Sequence, residues 1–260
     1  MLRCGKDRHT SSTSGLEGAP VLDENDKEVS LTFAKGLAVL LAFDAKDRAI
    51  TITEIADKVQ LNRAVARRLV RTLEQLGYLA CDRGRYELTP HVLRLSQGFI
   101  EGRGIPQIIQ PVLRNAAQEV GESVSYAMLD ETDAVYVAHA FLPSKFTLNR
   151  VTTGTRVPLL PTASGRAILA FLDTVRLDAI LDSAAYSAHT DQTETHRDRL
   201  EDALKQIRER GYALTDSEYV SGVASLAAPV FHPGIGEVVG AVSIIFEHGQ
   251  YDEAALSEMA

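Results

Sequence analysis

The stretch from Asn62 to Leu73 limits what this chain can fold into more than any other. It reads Asn-Arg-Ala-Val-Ala-Arg-Arg-Leu-Val-Arg-Thr-Leu. A helix turns ~100° per residue. Counted from Arg63, Arg67 and Arg71 fall within ~80° and Arg68 within ~140°. Val65, Leu69, Leu73 and Leu76 cluster on the other side. The pattern predicts a helix that packs one face on a core and turns guanidinium groups and Asn62 outward. Arginine suits phosphate oxygens and bidentate contact with guanine edges.

Taken alone, such a helix is more often a solvated basic face than a recognition element. Its neighbours decide the matter. Ser30 is a plausible N-cap for a helix carrying Phe33, Leu37, Leu40 and Leu41. Thr51-Ile-Thr-Glu54 has capping-box spacing and opens a short helix to Val59. Asn62 caps the basic helix, and Gly77 stops it. Tyr78–Cys81 and Tyr86–Leu88 flank Asp82-Arg83-Gly84-Arg85, a hairpin with a tight basic turn. Helix, helix, basic helix and basic hairpin spell a winged helix-turn-helix. Candidate DNA contacts are Thr53, Asn62, Arg63, Ala64, Arg67, Arg68 and Arg71, with Arg83 and Arg85 on the wing.

Charge follows the same division. Residues 31–98 hold 11 Lys and Arg against 7 Asp and Glu, a net of +4. Residues 99–260 hold 12 against 22, a net of −10, and the first thirty hold 4 against 6. A basic module joined to an acidic body fits a DNA reader attached to something else, despite the overall −8. At 260 residues there is room for two ordinary domains. No apolar stretch approaches the roughly 20 residues needed to span a bilayer, so no membrane role is expected. Cys4 and Cys81 cannot build a disulfide framework, and the N-terminus lacks a signal-peptide pattern, which together point to the cytoplasm.

Four parts are expected: a disordered leader at 1–29, the winged module at 30–89, a linker helix at 90–105 and a second domain at 106–260. Thr89-Pro90 starts the linker helix and Gly102-Arg103-Gly104 ends it. Beyond it, strands are expected at Ser123–Leu129, Ala134–Ala140, Phe146–Val151, Ala224–Phe231 and Val238–Phe246. Helices are expected at Thr162–Leu172, Val175–Leu181 and His196–Arg210. The class is α+β. No cofactor or metal is expected. His189, His196, His232 and His248 lack ligand spacing, and neither cysteine has a Cys-x-x-Cys partner. Ser164 precedes a helix but lacks the Gly-x-Ser-x-Gly elbow. Two readings without DNA stay open at this point: an enzyme, and a small-molecule-binding interaction module.

The chain resembles the IclR-type transcriptional regulators. In the first half the resemblance rests on Leu31–Leu40, Ile52–Ala56, Leu61–Arg68, Thr72–Tyr78 and Tyr86–Pro90. In the second it rests on Gly154-Thr155-Arg156-Val157-Pro158, Thr162–Ala170, Arg210–Ala213 and Gly222–Val230. The resemblance implies a GAF-like effector domain that binds a small metabolite, often a carboxylate, and a homodimer or homotetramer on a double-stranded operator. One departure from the family pattern is the end: the sequence stops at Ala260, where the family usually carries a longer final helix. It places the effector pocket between the sheet and the loop at Thr162–Gly165. Ala163, Ser164 and Gly165 would line that loop, Ser225 and Leu226 one strand, and Ser243 and Ile245 the next. The wording of the motifs leans to the branch controlling aromatic-acid catabolism. Backbone N–H groups at a helix start and serine hydroxyls both suit a carboxylate.

Overall fold

The computed structural model describes residues 26, 28–142 and 151–259. The expected leader, apart from its last few residues, and the strand expected at Phe146–Val151, apart from its last residue, lie outside them. Val151 itself is not in a strand. The chain divides into two compact units between Gly98 and Phe99, earlier than residue 105 and inside a helix.

The first unit opens with α1 (Leu31–Leu41), capped by Ser30 Oγ accepting from Phe33 N at 3.4 Å. A two-residue strand, β1 (Ala49–Ile50), leads to α2 (Ile52–Lys58). Both halves of the capping box form there: Glu54 N donates to Thr51 Oγ1 at 3.3 Å, and Thr51 N to Glu54 Oε2 at 2.6 Å. After a tight turn, α3 (Arg63–Gln75) starts on Asn62, whose Oδ1 accepts from Val65 N at 2.9 Å. Gly77, at φ +84°, reverses the chain into the hairpin β2 (Leu79–Asp82) and β3 (Arg85–Leu88). Arg83 and Gly84 both have positive φ, as a two-residue hairpin turn of the I′ kind requires. β1 pairs with β3, giving an antiparallel sheet ordered β1–β3–β2.

Val39, Ile50, Ile55, Val70, Leu73, Leu79 and Tyr86 form the core of this unit. The buried stripe of α3 is Ala66, Val70 and Leu73. That corrects the expected face. Val65 and Leu69 lie at its margins, and Leu76 is 57% exposed because it is the C-cap, past the last helical turn. A 3₁₀ turn (Pro90–Val92), capped by Thr89, leads into α4 (Leu93–Gly102), where the two units meet in sequence.

In the second unit one π-helical turn at Ile105–Ile109 runs into α5 (Gln110–Val120). The hairpin β4 (Val124–Asp130) and β5 (Asp133–Ala140) follows, then β6 (Arg156–Pro158), α6 (Ala163–Leu169), α7 (Thr174–Ser183) and α8 (Arg197–Arg210). Three strands complete the sheet, β7 (Ala213–Asp216), β8 (Val223–Phe231) and β9 (Val238–Glu247), before α9 (Glu253–Met259). The six-stranded sheet is ordered β6–β5–β4–β9–β8–β7, with every pair antiparallel. Successive side chains on a strand point to opposite faces. One face, with Ala127, Tyr136, Ala227 and Ala241, packs under α6, α7 and α8. The other, with Val124, Leu226, Ile244 and Phe246, packs on α5 and α9.

Two glycines permit close approach. A Cβ on Gly165 would stand 2.2 Å from Leu159 O, and one on Gly240 would stand 2.4 Å from Ala127 O. The first lets α6 sit directly on the chain that precedes it. Every residue of α6 is buried, Arg166 included.

Candidate nucleic-acid interface and effector cavity

Arg63, Ala64, Arg67, Arg68 and Arg71 are all exposed on α3, and Thr53 is exposed in the first turn of α2. Among the described residues none of those four arginines is held in an ion pair. Four unneutralised guanidinium groups on one exposed helix are free to meet phosphate and base edges. Asn62 is exposed, but its carbonyl oxygen is engaged in the cap, so only its amide donors remain for another partner. On the wing, Arg83 projects almost fully into solvent, 4.0 Å from Asp82. Arg85 behaves differently. Its Nε and Nη2 both donate to Ala49 O, at 2.9 and 2.6 Å, and Nη2 stands 3.6 Å from Glu54 Oε2. It ties β3 to the chain entering α2 and is only half exposed.

In the second unit a cavity of about 380 Å³, counting the part open to solvent, lies on the side of the sheet covered by α6, α7 and α8. Its polar lining is Tyr136, Thr162, Thr215, Tyr219 and Ser225. Its apolar lining is Val157, Pro161, Val220, Val223 and Ile245. Among the described residues no charged side chain lines it. The Ser217–Gly222 segment, which contributes Tyr219 and Val220, is tightly held. Arg166 donates from Nη1 and Nη2 to the two carboxylate oxygens of Glu218, at 2.6 and 2.5 Å, and from Nε to Leu160 O at 2.6 Å. Thr193 Oγ1 donates to Glu218 O at 2.6 Å, and the Tyr219 ring packs edge-on against His189.

The expected effector residues separate into three sets. Ser225 and Ile245 line the cavity. Ala163, Ser164, Gly165 and Ser243 are buried behind it rather than on its wall. Leu226 lies on the opposite face of the sheet, in the cluster with Ile244 and Phe246, where a second, largely apolar cavity of about 490 Å³, counting the part open to solvent, lies beside α5 and α9. Neighbours on one strand cannot both face the same side, so Ser225 inward places Leu226 outward. The expected anion site at the start of α6 is also corrected. That turn is buried in the core, and its Gly165 N–H is bonded to Thr162 Oγ1 at 3.3 Å.

Tyr136, Thr215 and Tyr219 went unread in the sequence. Tyr136 is the inner wall. It is 3% exposed, and its hydroxyl lies 3.4 Å from Ser164 Oγ. Burial pushes its phenol above the ordinary value, opposed in part by the Ser164 and Ser243 hydroxyls. Ser243 Oγ is close enough to act on Tyr136, yet it has no formed hydrogen bond among the described residues. Nearby, Ser125 Oγ sits 2.8 Å from His139 Nδ1, and desolvation lowers the His139 pKa. Among the described residues no carboxylate acts on that imidazole, so the pair lacks the orienting third group of a nucleophilic triad. Among the same residues there is no cluster of three metal-ligating side chains, and no helix is long and apolar enough to cross a membrane.

A winged helix-turn-helix with a bare basic helix, joined to a domain with a hydroxyl-lined cavity, fits a ligand-responsive DNA-binding regulator. Comparison with known proteins agrees. Residues 32–83 match the IclR helix-turn-helix domain, and residues 97–260 match the bacterial transcriptional regulator IclR C-terminal domain. The chain belongs to the IclR family of bacterial transcriptional regulators. It is 30% identical over 204 residues to the p-hydroxybenzoate hydroxylase transcriptional activator of Acinetobacter baylyi, covering 76% of this chain and 75% of that one. A transcriptional regulator structure from Rhodococcus superposes with TM-score 0.74 at 35% identity, over 88% and 91% of the two chains. An IclR homologue from Microbacterium hydrocarbonoxydans, solved with 4-hydroxybenzoate, shares the fold at TM-score 0.74 and 20% identity, over 88% and 93%.

Proposed function

We propose that this regulator reads its operator with α3 and the wing, and that a small carboxylate with an aromatic or otherwise apolar body controls it from the cavity beside Tyr136. The observation that carries this reading is the lining itself. Hydroxyl groups, with no charged side chain among the described residues, suit an acid that is held by several neutral donors and covered by apolar walls. A fully polar metabolite would leave Val157, Val223 and Ile245 unused. The family relatives named for p-hydroxybenzoate chemistry favour the same class of ligand.

The Arg63, Arg67, Arg68 and Arg71 face supplies phosphate and base contacts, with Arg83 reaching from the wing. Arg85 contributes by holding the wing in place. A single winged module reads one half-site, so the operator-bound form is a homodimer or homotetramer. This is a non-catalytic, cytoplasmic role.

The test uses the full chain and a duplex selected from a random pool. Affinity should fall steeply as salt rises, and a benzoate-type acid should shift it at fixed salt. Salt-insensitive binding would remove the α3 assignment. A shift absent across a panel of hydroxybenzoates and short aliphatic acids would remove the effector assignment.

A further inference from the structure

Burial recentres the basic face of α3. Its core side is the stripe Ala66, Val70 and Leu73. At ~100° per residue, Ala64, Arg68 and Arg71 stand ~130–170° from the middle of that stripe and point away from the core. Arg67 stands ~90° from it and Arg63 ~50°, both exposed on one flank. That flank is the side of the wing, where the Arg67 charge acts on the Tyr86 phenol of β3. A recognition helix reads base edges from its N-terminal turns. Residues opposite the core reach the floor of the groove, and those on a flank reach its phosphate walls. In the first two turns one long side chain faces the floor, that of Arg68, with the short Ala64 one turn before it. Gln75 shares this outward line but lies in the last turn, at the far end of the helix.

The hydrogen-bond inventory then narrows the base. Adenine is read by an amide that sets an acceptor and a donor side by side, and cytosine by a carboxylate. No carboxylate occurs between Asn62 and Arg71. The one amide there, Asn62, has its Oδ1 turned back onto the Val65 N–H at 2.9 Å. Thr72 Oγ1 donates to Arg68 O at 3.0 Å. A guanidinium remains, and its parallel N–H groups match O6 and N7 of guanine. Ala64 offers only a methyl group, which suits the methyl of thymine.

We infer that Arg68 is the specificity-determining residue of the operator contact: it reads a guanine in the major groove, with Ala64 against a neighbouring thymine, while Arg63 and Arg67 grip phosphates. This rests on the reading of α3 as the recognition helix. Spacing counted from Arg63 sets Arg68 at the edge of the basic face, whereas the buried stripe sets it at the middle. Each half-site of the operator therefore carries one guanine that this side chain holds.

Fluorescence titration of the full chain on a duplex selected from a random pool tests this. Each guanine is replaced in turn by 7-deazaguanine, which lacks the N7 acceptor and keeps its base pair. At one guanine per half-site the parent should bind the replaced duplex about fivefold or more weakly. Arg68→Ala should bind the selected and replaced duplexes alike. Arg68→Lys keeps the charge and loses the fork, so it should lose the same discrimination while the slope of log affinity against log salt stays as in the parent. Arg67→Ala should do the opposite, keeping the discrimination and flattening the slope by about one charge. Asn62→Ser keeps the cap and removes the amide, so base preference should not change. Discrimination that survives both Arg68 variants, or that vanishes in Arg67→Ala instead, would overturn the assignment. So would an adenine preference that Asn62→Ser abolishes. A parent that binds with a steep salt slope but tolerates 7-deazaguanine everywhere would leave α3 a phosphate-binding helix and overturn the guanine reading alone. Binding without salt dependence would remove the recognition helix itself, and this inference with it.

Discussion

Gly165 has no room for a methyl group. Its Cβ would meet the Leu159 backbone at 2.2 Å, and backbone cannot swing aside as a side-chain tip can. Gly165→Ala should therefore destabilise the second unit by about 1–3 kcal/mol despite alanine's better helix propensity, which urea titration would show as a lower midpoint. The arginines of α3 make the opposite case, since they touch little and act outward. The double change of Arg67 and Arg68 to Ala should leave the melting curve unchanged while weakening operator binding. The slope of log affinity against log salt should flatten by about one charge for each phosphate no longer neutralised. Unchanged affinity would mean that α3 is not the reading helix. These arginines were legible because amphipathic spacing alone exposes them. Arg85 was not, because nothing in a hairpin sequence shows that its guanidinium turns back to Ala49 O. Tyr136 was equally silent: an aromatic in an alternating strand reads as core, and only the position of Ser164 on another element gives its hydroxyl a role.

The elements that emerged as expected are those with strong local signals. The capping box at Thr51, the Asn62 cap and the Arg83–Gly84 turn each satisfy backbone groups within a few residues, so sequence spacing suffices. The short strands β1, β6 and β7 have no such signal. Two to four residues carry no readable period, and they are strands because a neighbour offers an edge. The segment between β7 and β8 is the least local of all. Arg166 and Glu218 are separated by 52 residues, and their side chains are 6% and 13% exposed. Removing one member of a buried pair strands the other charge. Glu218→Ala should cost about 3–5 kcal/mol. It should also loosen Tyr219 and Val220, so acid binding should weaken even in conditions where the fold survives. Fluorescence melts and calorimetry on the same sample would separate the two effects. A variant as stable as the parent would show that the pair is dispensable.

At the scale of the whole molecule, division of labour is written in charge: a basic reader and an acidic sensor can be told apart by counting. The proposed assembly draws on exposed apolar residues. Phe33, Leu37 and Leu41 lie along one side of α1, and Leu93, Leu95 and Phe99 are exposed on α4. Single exposed leucines need no explanation, but repeated ones at helical spacing do. Sedimentation at micromolar concentration should give at least a dimer, and Leu37→Glu with Leu41→Glu should shift it toward monomer. A monomeric parent would remove this reading. The unpaired hydroxyl of Ser243 carries a consequence for heat. A natural core seldom keeps a group that weakens it unless something else gains. Without acid, Ser243→Ala should melt above the parent by a few degrees, on the order of 1 kcal/mol. A variant that melts at or below the parent would show that the fold already satisfies this hydroxyl.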